Sequence, residues 1–107
     1  MKIKTITFAG FGLVGQRRYS FLKKMSKVKV IGVSDEYASY RQKFREGKSF
    51  KNFKQMFKNL KSDIVFVCLP NKFAIEATIL ALKNGSHVFC EKPPARNLNE
   101  MKKLFKI

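Results

Sequence analysis

Residues 64–69, "IVFVCL", form an unbroken apolar run closed by Pro70 and Asn71. A strand with one wet face alternates apolar and polar side chains. An unbroken run therefore needs cover on both faces, as in a parallel sheet between layers of helix. Residues 28–34, "VKVIGVS", are nearly as dense, and residues 2–9, "KIKTITFA", carry Ile3, Ile6 and Phe8 in a strand-compatible pattern that stops at Gly10. Helical spacing fills the gaps between these runs. Val14, Phe21, Leu22 and Met25 make one stripe, Tyr37, Tyr40 and Phe44 predict a second helix ending near Gly47, and Phe53, Met56, Phe57 and Leu60 a third. Residues 73–84 read as an alanine- and leucine-rich helix with Gly85 in the terminating position, and residues 87–90 as the next strand. Asn97 with Glu100 opens a last helix through Leu98, Met101, Leu104 and Phe105. A strand around Ser49 and Phe50 is only faintly signalled. Strands alternating with helices imply right-handed crossovers, so the expected architecture is α/β: a doubly wound parallel sheet of about five strands with helices on both faces.

At 107 residues, 45% of them hydrophobic, the chain suits a single domain with a real core. No window approaches the ~18 apolar residues of a membrane helix, and a strand-like segment follows Met1 where a signal peptide would carry an apolar block. A soluble, cytoplasmic protein is expected, with no membrane partner. Cys68 and Cys90 sit inside apolar runs without metal-ligand spacing, and His87 is the lone histidine. They read as reduced, packed thiols, and no metal site is expected. The net charge of +16, from 23 basic and 7 acidic residues, would suit a polyanion such as nucleic acid. The cations are nonetheless spread along the whole chain, and no strand or helix gathers bases and aromatics together. The reading adopted is a lysine-rich solvated surface, with a basic nucleic-acid-binding module as an alternative.

Gly10, Gly12 and Gly15 stand as G-x-G-x-x-G in "GFGLVG", after a strand and at the start of a helix. This is a dinucleotide-binding pattern: the first glycine for the tight turn, the second for approach of the pyrophosphate, the third for close helix packing. Asp35 lies twenty residues beyond Gly15, at the end of the next strand. It is placed to accept hydrogen bonds from the adenosine ribose, and its charge opposes a 2′-phosphate, favouring NAD over NADP; Arg41 would soften that preference. The structural alternative for Asp35 is a helix N-cap.

"TFAGFGLVGQRR", "GVSDEY", "DIVFVCLPN" and "ALKNGSHVFCEKPPARNLNEMKKL" together resemble the N-terminal domain of the glucose-fructose oxidoreductase, inositol dehydrogenase and MocA (Gfo/Idh/MocA) family, over nearly the whole chain. The E-K-P after a strand that begins G-x-H-V is the most specific part. The resemblance implies a Rossmann domain and transfer of hydride between NAD(P) and a sugar, inositol or related polyol. It places Gly10, Phe11, Gly12, Leu13, Val14 and Gly15 along the pyrophosphate, Asp35 at the ribose, and Leu69, Pro70 and Asn71 on the adenosine and nicotinamide side. Glu91, Lys92 and Pro93 come beside the nicotinamide, with Lys92 the catalytic candidate. Two departures stand out. Ala74 occupies a position where the family commonly has histidine, and the family's second domain, with most substrate contacts, a catalytic histidine and the dimerising sheet, is not among these residues. The chain accordingly reads as half of an active site, with a non-catalytic nucleotide-binding subunit or truncated remnant as the alternative. The apolar helix at residues 73–82 adds an expectation of self-association.

Overall fold

The computed structural model describes residues 2–90. The strands are β1 (Lys4–Ala9), β2 (Val28–Ser34), β3 (Lys48–Phe50), β4 (Ile64–Val67) and β5 (His87–Cys90), and the helices are α1 (Leu13–Leu22), α2 (Ala38–Arg41), α3 (Phe53–Asn59) and α4 (Asn71–Lys83). All strand pairs are parallel, in the order β3-β2-β1-β4-β5. This is the doubly wound sheet expected from the apolar runs. The helix predicted over residues 97–107 lies outside the described residues.

Each sheet face carries its own core. On one, Ile6, Phe8, Val30 and Val33 pack with Phe11, Tyr19 and Phe44; on the other, Ala9, Val65 and Val67 pack against Phe53 and Met56 of α3 and Ala74, Ala77 and Ala81 of α4. Small alanines let α4 lie close to the sheet. A Schellman ending terminates it: Gly85 at φ +85 donates its N–H to the Leu82 carbonyl (3.0 Å) and Ser86 donates to Ala81 (3.1 Å). Asn52 caps α3, its side chain accepting from the Gln55 N–H at 2.8 Å.

Three expectations are corrected. Of the stripe Val14, Phe21, Leu22 and Met25, three residues face outward, Val14, Phe21 and Met25 at 44%, 64% and 52% exposure; Leu22 packs against the core, and Gly15 and Tyr19 face the sheet. The inner face is built from a glycine for close approach and an aromatic whose hydroxyl reaches the Glu46 carboxylate, neither of which registers as an apolar stripe. The second helix is one turn, Ala38–Arg41, and stops short of Phe44. Bonds from Lys43 N–H to Tyr40 and Phe44 N–H to Arg41 (both 3.1 Å) tighten the chain there and drop the Phe44 ring between Phe11 and Tyr19. Finally, α4 starts at Asn71, two residues ahead of Phe73, because Pro70 takes the N-cap position and its carbonyl accepts from Phe73 (2.9 Å) and Ala74 (3.0 Å). The faint strand at Ser49 and Phe50 is present as β3.

Candidate functional site

β1 sends the chain towards β2 and β3, while β4 and β5 lie on its other side. The crevice beyond the C-terminal ends of β1 and β4 is thus the switch point at which such sheets bind ligands. It is walled by the glycine turn and by residues 68–70.

The three glycines of that turn have different reasons to be glycine. Gly10 has φ +97, and a Cβ on it would stand 2.5 Å from the Cys68 carbonyl oxygen. On Gly15, a Cβ would meet the Gly10 carbonyl oxygen at 2.8 Å. These positions are required by the fold itself. Gly12 has an ordinary φ of −70, and a Cβ there meets only the Tyr40 ring, at 3.6 Å. Nothing among the described residues demands glycine at this position, which leaves room for a ligand as the physical reason for it. Gly12 also caps α1 with no side-chain hydrogen bond, and the helix has no acid in its first turn. Its N–H groups and positive dipole end are therefore unopposed by a carboxylate of that turn, as a phosphate site needs.

Asp35 is not a helix cap, since Tyr37 holds that position for α2. Its Oδ2 accepts the Phe11 N–H at 2.8 Å and its Oδ1 the Tyr37 N–H at 3.0 Å, tying the glycine turn to the loop after β2. A carboxylate has about four lone-pair sites, so it keeps acceptor capacity for further hydroxyls. Arg41 Nη1 donates to the carbonyls of Asp35 (2.8 Å) and Glu36 (3.1 Å) and braces the same loop.

A cavity of about 380 Å³ opens here, lined by Gly12, Asp35, Tyr37, Tyr40, Leu69 and Pro70 among others. Leu13 and Val14 project at 70% and 44% exposure where α1 begins. Phe11 differs from its neighbours: its ring is fully buried in the core and its N–H is held by Asp35. Helical spacing put Tyr37 and Tyr40 on one stripe and Phe53 on the next. In the structure the tyrosine rings meet edge to face at 5.6 Å and line the cavity with Lys51, Asn52, Phe53 and Phe73. Aromatics just after a strand-ending acid were the available signal for an adenine-sized wall. Ala74 is 5% exposed and packs into the α3–α4 face of the core. Asn71 opens α4, while Glu91, Lys92 and Pro93 lie outside the described residues.

Cys68 lines the cavity, and Cys90 shares a 3.4 Å hydrogen bond with Thr78. Both are partly buried, Cys68 packed against one core and Cys90 against the other, and burial pushes the Cys90 thiol up, against the effect of Thr78. Among the described residues no cluster of His, Cys, Asp or Glu is arranged for a metal, and no helix is long and apolar enough to cross a membrane.

Comparison with known proteins closes the assignment: residues 4–107 match the Gfo/Idh/MocA family, described as an oxidoreductase family with an NAD-binding Rossmann fold. The chain belongs to the Gfo/Idh/MocA family. As a member, it is an NAD-binding Rossmann domain. It is 33% identical over 95 residues to D-glucoside 3-dehydrogenase of Escherichia coli, covering 84% of this chain and 27% of that protein. The myo-inositol 2-dehydrogenase of Lactobacillus plantarum superposes with a TM-score of 0.90 at 27% identity, over 98% of this chain and 32% of the other. The scyllo-inositol dehydrogenase of Lactobacillus casei, solved with NAD(H) and scyllo-inositol, shares the fold with a TM-score of 0.87 at 23% identity, over 98% and 32% of the two chains. The Gfo/Idh/MocA domain described here thus spans about a quarter to a third of the length of these relatives.

Proposed function

We propose that this domain holds NAD for hydride transfer to or from a sugar, inositol or related polyol, with the substrate contacts and the proton-transfer partner supplied by a second structural unit. The observation carrying the reading is the placement of Gly12 and Asp35 on one cavity at the switch point of the sheet. In this reading the first turn of α1, from Leu13 and Val14, receives the pyrophosphate, while Gly10 and Gly15 hold the turn in shape. Asp35 accepts the adenosine ribose hydroxyls. The tyrosine pair and Leu69 flank the adenosine, and Pro70 and Asn71 face the nicotinamide half. When bound, the nicotinamide supplies the hydride donor or acceptor.

The chain's own contribution to chemistry would come from the E-K-P residues. In this reading Lys92 is the catalytic group, its ammonium stabilising the alkoxide character that develops on the substrate oxygen, an effect strengthened where water is excluded, and Glu91 serves either to hold that lysine or to meet ribose hydroxyls. The names of the relatives, a glucoside dehydrogenase and inositol dehydrogenases, support the polyol class. Another relative, glycosyl hydrolase family 109 protein 1 of Akkermansia muciniphila, is 23% identical over 109 residues, so the reaction is tested directly.

Titration calorimetry of the purified chain with NADH and NADPH provides that test. NADH is expected to bind more tightly than NADPH, Gly12→Val to weaken NADH by at least about tenfold, and Asp35→Asn to narrow the gap between the cofactors. Equal, unchanged affinity across both variants would overturn the site. In an assembly that turns over a polyol, Lys92→Met is expected to retain NADH binding and lower kcat by about a hundredfold or more. Cofactor binding without turnover on any of a panel of sugars and inositols would point to a nucleotide-binding subunit.

A further inference from the structure

The parallel topology does something to the charge that the linear sequence hides. The strands all start at one end of the sheet and the long helices α1 and α4 both finish there, opposite the dinucleotide cavity. Lys4, Lys27 and Lys61 therefore converge from separate parts of the chain. The Lys4 N–H donates to the Lys27 carbonyl (3.0 Å), and the Thr5 N–H to the carboxylate of Asp63 (2.8 Å), two residues after Lys61. Lys24 follows the end of α1 and Lys83 is the last residue of α4. Lysines at helix C-termini have a local reason to be there, in the negative end of the helix dipole. Lys4, Lys27 and Lys61 stand at strand starts and have no such reason.

A cleft of about 640 Å³ opens beside Lys4 and Lys61, lined also by Ser62, Asp63, His87 and Phe89 among others. Asp63 is the one acid among its described lining residues, and its carboxylate is turned to Thr5, taking the N–H at 2.8 Å and the hydroxyl at 3.1 Å. Phe89 is 48% exposed and rests on Phe66, ring centroids 4.9 Å apart. An aromatic face inside a cationic cleft is what a phosphodiester strand with an unpaired base requires.

We infer that this edge of the sheet is a second binding site, for single-stranded nucleic acid: Lys4 and Lys61 meet the phosphates and Phe89 stacks on a base. Duplex bases are shielded from such a ring, and a flat bilayer would meet the lysine tips without reaching Phe89 in the cleft. The site is independent of NAD binding at the opposite end.

The test is fluorescence anisotropy of a labelled oligothymidylate on the intact chain across a salt series, with and without saturating NADH. Each lysine–phosphate contact contributes about 0.7 to the slope of log affinity against log salt on a single strand. The double variant Lys4→Gln, Lys61→Gln is expected to lower that slope by about 1.4 and the affinity by about tenfold or more, while the exposed pair Lys43→Gln, Lys54→Gln changes affinity less than about twofold. Phe89→Leu, which keeps an apolar contact on Phe66, is expected to weaken binding by at least about fivefold with the slope unchanged. NADH is expected to leave the oligonucleotide bound. Equal losses in the two lysine pairs, displacement by NADH, or binding only to phosphatidylserine vesicles would each overturn the inference.

Discussion

Tyr19 is a case in which one atom links burial to pH. Its ring is 7% exposed between Phe11 and Phe44, and its hydroxyl donates to Glu46. Burial, then that hydrogen bond, then the Glu46 charge push the phenol well above its ordinary range. A group whose proton is held more tightly in the folded state stabilises the fold below its unfolded pKa, about 10, and that contribution is lost as pH rises through the folded value. Tyr19→Phe keeps the ring and loses the bond. Urea denaturation at neutral pH is expected to show a loss of about 0.5–1.5 kcal/mol, and the variant's stability is expected to fall less steeply than the parent's above about pH 10. Asp63 has the opposite sign. Hydrogen bonds from the Thr5 backbone and hydroxyl lower its pKa, with Lys4 and Lys2 adding to the effect. Its stabilisation is present above the ordinary carboxylate pKa and disappears as pH falls through the folded value. Asp63→Asn is expected to show a shallower decline in melting temperature below about pH 4 than the parent.

At the scale of elements, two glycines with positive φ test whether backbone strain or crowding decides a turn. Gly85 ends α4 with nothing within 4 Å of an added Cβ, whereas at Gly10 the same atom runs into the Cys68 carbonyl. Gly85→Ala meets only the left-handed strain, about 1–2 kcal/mol, and is expected to fold with a correspondingly lower urea midpoint. Gly10→Ala adds a backbone clash between β1 and the end of β4 and is expected to lose more, along with NADH binding. The orientation of α1 is open to an equally direct check. Phe21 stands in the outward stripe, so Phe21→Ser is expected to alter stability by no more than about 0.5 kcal/mol. A loss of about 3 kcal/mol or more would instead place that ring in a core.

For the whole molecule, a ligand that binds only the folded state raises stability by about 2.7 kcal/mol at a hundred times its Kd. In a domain of this size that corresponds to a rise of roughly 10 °C or more in Tm. Thermal melts with and without NADH are expected to show it for the parent and to lose it in Gly12→Val, with the Tm of the free variant little changed because Gly12 has room for a side chain. A variant that melts early without cofactor would move Gly12 into the structural class of Gly10 and Gly15.

The unbroken apolar run at residues 64–69 and the nearly as dense one at residues 28–34 were enough to demand a sheet covered on both faces, because a strand that cannot alternate cannot face water. The glycine spacing and Asp35 were equally legible, since a strand-to-helix turn is local and its chemistry lies within a few residues. Of the inward face of α1, only Leu22 was legible. A glycine and a tyrosine bury well only because the sheet comes close enough for one and Glu46 satisfies the other. Nor did spacing reveal that Tyr37, Tyr40, Lys51 and Phe73, from three separate connections, would share a wall of one cavity. Charge divides in the same way. Composition dictated a basic surface, but the gathering of Lys4 and Lys61 beside Phe89 belongs to the tertiary structure, because parallel strands bring to one edge residues that lie far apart along the chain.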